Sequence, residues 1–194
     1  MVDIRTFRGA EIAPLLDDLA ALRITVFRAF PYLYDGDVHY ERRYLGAFAA
    51  SPDALVVGAY DGTQLVGAAT SSPMEDHEDG FAAALARTSL APSQVYYCAE
   101  SVLLPAYRGQ GLGHAFFDVR EAEARRLGRT HCAFCSVLRP AEHPDRPAAY
   151  SPLDRFWRKR GYAPLPGALA RFSWKDLGDT EETEKTLQMW ARAL

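Results

Sequence analysis

Long apolar runs are missing from this sequence: no stretch approaches the ~20 consecutive apolar residues of a membrane span. The opening MVDIRTFRGAEI does not pass from a charged segment into an apolar one, so no signal peptide is read there and a cytoplasmic location is expected. A basic surface is missing as well. The 22 basic and 25 acidic residues are interspersed and leave a net charge of −3, so no strongly basic face can track a phosphate backbone. Neither nucleic acid nor a membrane is expected as a partner. Cysteine is scarce and odd in number, with only Cys98, Cys132 and Cys135. That excludes a disulfide framework, which a 194-residue chain of 48% hydrophobic composition does not need. Cys132 and Cys135 form a C-x-x-C behind His131, but residues three apart in a strand face opposite ways and no second ligand pair follows at zinc-like spacing. No metal is expected, and the thiols read as small core residues.

What is present reads as one α/β chain. VDIRTFR, residues 2 to 8, is a short strand. From about Glu11 to Phe30, Ile12, Leu15, Leu16, Leu19, Leu22, Val26 and Phe27 recur at helical spacing, and Pro31 closes the segment. Tyr40, Tyr44 and Phe48 give a second helix its stripe. Two β-rich runs flank Asp61-Gly62, a dipeptide suited to a tight reversal, and predict a hairpin. An Ala-rich helix is expected over 81 to 91. QVYYCAESVLL, residues 94 to 104, is apolar on both faces, as a covered central strand would be, and stops at Pro105. Leu112, Ala115, Phe116, Val119 and Ala122 continue as a helix to Leu127, closed by Gly128. The run THCAFCSVL is a further strand, and a proline-rich loop follows. Ser151-Pro152-Leu153-Asp154 then carries the signals of a helix start, with serine as cap. LARFSWKDL reads as a last strand, and Asp179 to Leu194 as a terminal helix with Leu187, Trp190 and Leu194 on one side.

AYRGQGLGHAFFD, residues 106 to 118, places Gly109, Gly111 and Gly113 within five positions. Each glycine costs backbone entropy and packs nothing, so the run implies backbone that approaches a ligand closely. A strand, a glycine-rich turn and a helix whose first N–H groups are free make an anion cradle. A Walker A loop requires Gly-Lys, and here His114 follows Gly113; the dinucleotide fingerprint G-x-G-x-x-G fails from either starting glycine.

The pattern that fits is R-x-x-G-x-G, Arg108 to Gly113, behind a strand ending in VLLP, with DRFWRKRGY at 154 to 162 as a second segment. Together these resemble the GNAT superfamily of acyl-CoA-dependent N-acyltransferases over residues 2 to 174. The resemblance implies a GNAT fold: a single domain over 1 to 174 with a mixed, mostly antiparallel sheet of about six or seven strands; the helix read beyond it, over 175 to 194, is expected to pack on the same domain or meet a second subunit. It implies acetyl-CoA as acyl donor. The backbone of Ser101, Val102 and Leu103 would lie beside the pantetheine arm and thioester, with Val102 or a neighbour offering an N–H to the oxyanion. The N–H groups of Gly109, Gln110, Gly111, Leu112, Gly113 and His114 would take the pyrophosphate, with Arg108 bracing the loop or adding charge.

Transfer to an alkylamine needs a base, because the amine is protonated at neutral pH, and gains from an acid for the departing thiolate. Glu100, a carboxylate within an apolar strand, is the candidate base; a buried ion pair with an arginine is the alternative. The usual tyrosine acid is replaced by Trp157, whose indole is no acid at this pH. Tyr150 is the substitute candidate, unless it only packs or the thiolate leaves through water. Tyr32, Tyr34 and Asp35 are candidate acceptor-binding residues. The acidic run Glu75, Asp76, Glu78 and Asp79 either receives a cationic amine or is simply solvated. The resulting expectation is an acetyltransferase acting on a primary amine of a small molecule; alternatives are a non-catalytic acyl-CoA binder and a structural domain whose glycines are only a turn.

Overall fold

The computed structural model describes residues 2–77 and 81–194. Twelve elements carry the fold: β1 (Asp3–Arg8), α1 (Leu16–Phe27), α2 (Val38–Ala49), β2 (Leu55–Asp61), β3 (Gln64–Pro73), α3 (Phe81–Leu85), β4 (Val95–Leu103), α4 (Leu112–Arg126), β5 (His131–Val137), α5 (Asp154–Lys159), β6 (Ala163–Trp174) and β7 (Thr183–Ala193). The strands form one seven-stranded sheet in the order β1-β2-β3-β4-β5-β7-β6. Every neighbouring pair is antiparallel except β4 and β5. The expected mixed, mostly antiparallel α/β sheet is therefore what forms. Among the described residues no helix is long and apolar enough to cross a membrane.

Three apolar clusters sandwich the sheet. One lies under α4, with Phe116, Phe117 and Ala124 against Tyr96, Phe134 and Trp190. A second lies under α1 and α2, with Leu19, Leu22 and Leu45 against Val56 and Ala68. A third, around Met74, Tyr97 and Met189, fills the β5-β7-β6 side. The Asp61-Gly62 reversal forms as its chemistry demands, with Gly62 at φ +61.

Four expectations need correction. The C-terminal segment is strand β7, inserted between β5 and β6, and not a helix. Leu187 and Trp190 fit either period, but Lys185, Leu187, Met189 and Ala191 are buried at every second position, the period of a strand buried in a sheet. The first helix does not start at Glu11: Pro14, which lacks an N–H, sits in a separate 3-10 turn, and α1 begins at Leu16. The 81–91 helix is shortened to Phe81–Leu85. Ser151 does not cap α5, whose N-cap is Leu153, so the polar cap signal lies outside the helix it announced.

One buried carboxylate ties α4 to the sheet's N-terminal strand. Glu123 accepts from Arg8 at 2.9 Å and from Arg126 at 2.8 Å. Hydrogen bonds from Arg8 and then Arg126 hold its carboxyl down to about 2, from 4.5. A carboxyl depressed in the folded state stabilises it fully above the unfolded pKa and loses that contribution as pH falls toward the folded one. Glu123→Gln should therefore cost about 1–2 kcal/mol at pH 7, discounted because both arginines are half-exposed. Its gap from wild type should close between pH 4.5 and about 2, read by denaturant unfolding across that range.

Candidate active site

The parallel pair β4 and β5 is joined only over Val95–Tyr97 and His131–Ala133. Beyond Tyr97 the two strands diverge, and Glu100–Leu103 pair with β3 alone, leaving one edge of β4 open. A cleft of about 950 Å³ occupies the divergence, walled by Ser101, Leu103, Arg108, Gly109, Gly111, Gly113 and His114 on one side and by Tyr150, Trp157 and residues of β5 on the other.

Strand geometry decides which backbone groups face it. Leu104 N–H donates to Val66 O on β3 at 3.0 Å, and the Leu103 carbonyl accepts from Arg108 Nε at 3.2 Å. Backbone groups alternate sides along a strand, so Ser101 and Leu103 turn their N–H and C=O to the cleft, while Val102 turns to β3. Val102, expected beside the thioester, is wholly buried under α1 and is not among the residues lining the cleft, whereas Ser101 and Leu103 are.

At the register shift between Thr70 and Ser72, buried Arg120 donates to the Glu100 carbonyl at 3.1 Å and to Ser101 Oγ at 2.9 Å. This holds β4 in its divergent course.

The glycine loop enters α4 through backbone that side chains resist: Gly109 has φ +76 and Gly111, the N-cap of α4, φ +83. A Cβ added at either meets nothing within 4 Å. Among the described residues, the N–H groups of Gly109, Gln110 and Gly111 make no turn or cap bond, and those of Leu112 and Gly113 open a helix with no carbonyl behind them. His114 differs: its N–H already donates to Gly111 O at 2.9 Å, so it is not one of the loop's free amides, and its ring lies against Phe156 at 4.9 Å. Gln110 and Leu112 contribute backbone alone, since Gln110 donates to Ala106 O and Leu112 joins the core. Free amides at a helix N-terminus, a brace from Arg108 and room for a Cβ that is not there fit a bound pyrophosphate.

A second, smaller cavity of about 90 Å³ lies on the other side of β4 and shares Phe27, Tyr32, Ala99, Glu100 and Cys135 with the cleft. Glu100 thus stands at the wall between the two spaces. It is paired with Arg23 at 2.6 Å, and Arg23 also reaches Glu41 at 2.5 Å. Glu41 is wholly buried, Glu100 is 8% exposed, and each keeps its Oε1 without a hydrogen-bond partner among the described residues. Tyr44 donates weakly to Glu100 at 3.4 Å, and burial pushes its phenol well up. The ion pair weighed against the base role is therefore present, and the free Oε1 leaves the base role compatible with it.

Tyr32 and Tyr34 both line the small cavity, and burial raises both phenols. Arg139 fixes the Tyr32 segment, donating to the carbonyls of Pro31 and Tyr32 at 2.8 and 2.7 Å while paired with Asp176. Asp35 is not brought to either cavity: it pairs with Lys175 at 2.7 Å. Tyr150 lines the cleft with its ring against Phe30 at 4.6 Å and Arg146 stacked on it, and burial raises its phenol. Glu75 and Asp76 are engaged with Arg129 and Ser51, and Glu78 and Asp79 lie outside the described residues. Cys135 faces both spaces as a thiol pushed up to about 12 by burial.

Arg23, Glu41, Arg120 and Arg139 are site residues that no sequence motif marks, and Tyr44 is marked only as part of a helical stripe. Two left a signal: Arg23 falls one turn after Leu19 on the apolar face of α1, and Glu41 one turn before Leu45 on that of α2. A charge in an apolar stripe marks a buried partner.

Fold and site define a mixed-sheet α/β protein with a split-strand cleft and an anion-cradling loop. The chain belongs to the acetyltransferase (GNAT) family, whose profile matches residues 19–162, more than half of its length. No curated protein matches it by sequence. Solved structures share its fold at low identity. A ribosomal-protein-alanine N-acetyltransferase from Brucella melitensis superposes with TM-score 0.61 at 13% identity, over 98% of this chain and 99% of that one. The protein yncA from Salmonella typhimurium, with its cofactor acetyl-CoA, gives 0.60 at 14% over 100% and 94%. PaiA N-acetyltransferase from Thermoplasma acidophilum, in complex with coenzyme A, gives 0.57 at 11% over 100% and 99%.

Proposed function

We propose that this protein transfers the acetyl group of acetyl-CoA to a primary amine of a small molecule by direct attack on the thioester. The observation that carries this reading is Glu100, a buried carboxylate on the wall shared by the coenzyme-sized cleft and the smaller cavity. The cleft and the glycine loop suit the donor, two structural neighbours being described with coenzyme A or acetyl-CoA. The thioester supplies the acetyl group. Glu100 takes a proton from the acceptor's ammonium, and the N–H of Ser101 or Leu103, turned to the cleft, meets the charge developing on the carbonyl oxygen.

Tyr150 is left with a packing role. Its ring packs against Phe30 at 4.6 Å with Arg146 over its face, and a thiolate is a stable enough anion to leave without an acid and take its proton from solvent in the open cleft. The test is release of free coenzyme A from acetyl-CoA across a panel of amines. Turnover is expected, with Tyr150→Phe within ~3-fold of wild type, below the ~100-fold or greater loss expected for removing a general acid. Coenzyme A binding without turnover on any amine would identify a non-catalytic acyl-CoA binder instead.

A further inference from the structure

The smaller cavity has a charge imbalance that the transfer chemistry alone does not require. Its ionic lining is one arginine and two glutamates, and Arg23 is spent on both of them, through Nε to Glu41 at 2.5 Å and through Nη1 to Glu100 at 2.6 Å. The formal balance is one negative charge, held on side chains that are 0% and 5% exposed. Both Oε1 atoms are buried without a hydrogen bond of normal geometry among the described residues; the Tyr34 hydroxyl, the neutral group beside Glu41, supplies no charge to offset the excess. A buried charge without a partner is costly, and a bound cation would remove that cost.

The rest of the wall suits the same occupant. Tyr32, Tyr40, Tyr97 and Phe172 surround the space, while the rings of Tyr44 and Trp174 already carry Arg23 at 4.6 Å and Lys185 at 5.2 Å. Aromatic faces attract cations and also accept an apolar body. A carboxylate on the ligand would meet the opposite situation. Arg23 is the one basic residue lining the cavity among the described residues, it is already paired twice, and any second anion would sit beside Glu41 and Glu100. Size sets a further limit. A cavity of about 150 Å³ takes benzene, so the part of a ligand seated in one of about 90 Å³ is roughly three to five carbons, and a longer chain would have to extend into the cleft.

We infer that this cavity selects a short monocationic alkylamine that carries no carboxylate, its ammonium at the Glu41–Glu100 end and its carbon chain among the aromatic rings. The inference rests on the transfer reading above, since Glu100 is where the cavity meets the cleft and where a bound ammonium would face the thioester. It adds what that reading leaves open, the chemical class of the acceptor.

The first test needs no turnover. Calorimetry on the wild-type protein without acetyl-CoA should show butylammonium binding at least ~10-fold more tightly than 1-butanol, which has the same chain and no charge. Equal binding of the two would overturn the inference. In turnover, butylamine should exceed 4-aminobutyrate in kcat/KM by ~100-fold or more, because the added carboxylate is buried without a partner. A preference for the carboxylated amine would overturn the inference while leaving acetyl transfer standing. Tight butylammonium binding with no amine acetylated would do the reverse. Glu41→Gln keeps the cavity's shape and removes one charge, so butylammonium affinity should fall ~10-fold or more, and unchanged affinity would count against the site. If that variant does not fold, the comparison of butylammonium with 1-butanol on the wild type decides alone.

Discussion

Gly113→Glu should leave a folded protein that has lost coenzyme A binding by at least ~100-fold, with stability unchanged or slightly raised. The two halves of this result have separate causes. Gly113 lies in the first turn of α4 and is not among the glycines of positive φ, and a Cβ there would touch only Phe156 Cζ at 3.5 Å, an ordinary contact. Glutamate forms helix better than glycine by up to ~1 kcal/mol, and an acidic side chain at a helix N-terminus is worth a further ~0.3–1 kcal/mol. The same carboxylate competes for the free amides of the loop and repels the pyrophosphate those amides would hold. Stability and affinity thus move in opposite directions, which simple damage to the fold does not produce. Thermal unfolding and calorimetry with coenzyme A read the two quantities, and unchanged affinity would sink the phosphate assignment. Gly111→Ala makes the contrast: at φ +83 any side chain is strained, so stability should drop by about 1 kcal/mol whatever happens to the ligand.

The glycine loop was legible in the sequence because its signal is local. A strand, three glycines and an amphipathic helix follow one another directly, and two rival motifs each fail at a named residue. The hairpin at Asp61-Gly62 and the central strand ending at Pro105 were legible for the same reason. The Arg23–Glu41–Glu100 cluster was not, because its members come from α1, α2 and β4 and meet only when the helices pack on the sheet. Of the stripe read for α2, Tyr40-Tyr44-Phe48, Phe48 is buried as expected, but the other buried positions are Glu41 and Leu45, with Tyr40 and Tyr44 left to flank the cavity. An expectation that buried faces are apolar passes over a buried glutamate. Asp35 failed in the other direction, its place among loop aromatics suggesting the cavity while Lys175 holds it outside. The C-terminal strand was missed because Leu187 and Trp190 satisfy both periods and sequence contains no sign of the slot between β5 and β6.

Replacing Glu100 by glutamine should lower kcat by ~100-fold or more, the usual range for loss of a general base, and raise KM by ~10-fold through the lost charge. The pH profile separates this from the loss of an ion pair. An alkylamine with a pKa near ~10 is almost wholly protonated at pH 7, and the variant can use only its free-base fraction, which grows about tenfold per pH unit. The wild type removes the proton within the site and gains less from rising pH. The ratio of wild-type to variant turnover should therefore shrink as pH climbs toward 10. A purely structural Glu100 predicts a ratio flat in pH, together with a lowered unfolding temperature. The fold limits the second effect, because after the substitution Arg23 still faces Glu41 and that remaining pair is charge-balanced. A large kinetic loss, a small stability loss and a ratio that closes with pH would place the proton transfer on Glu100. A large stability loss with a pH-independent ratio would return it to the role of Arg23's partner.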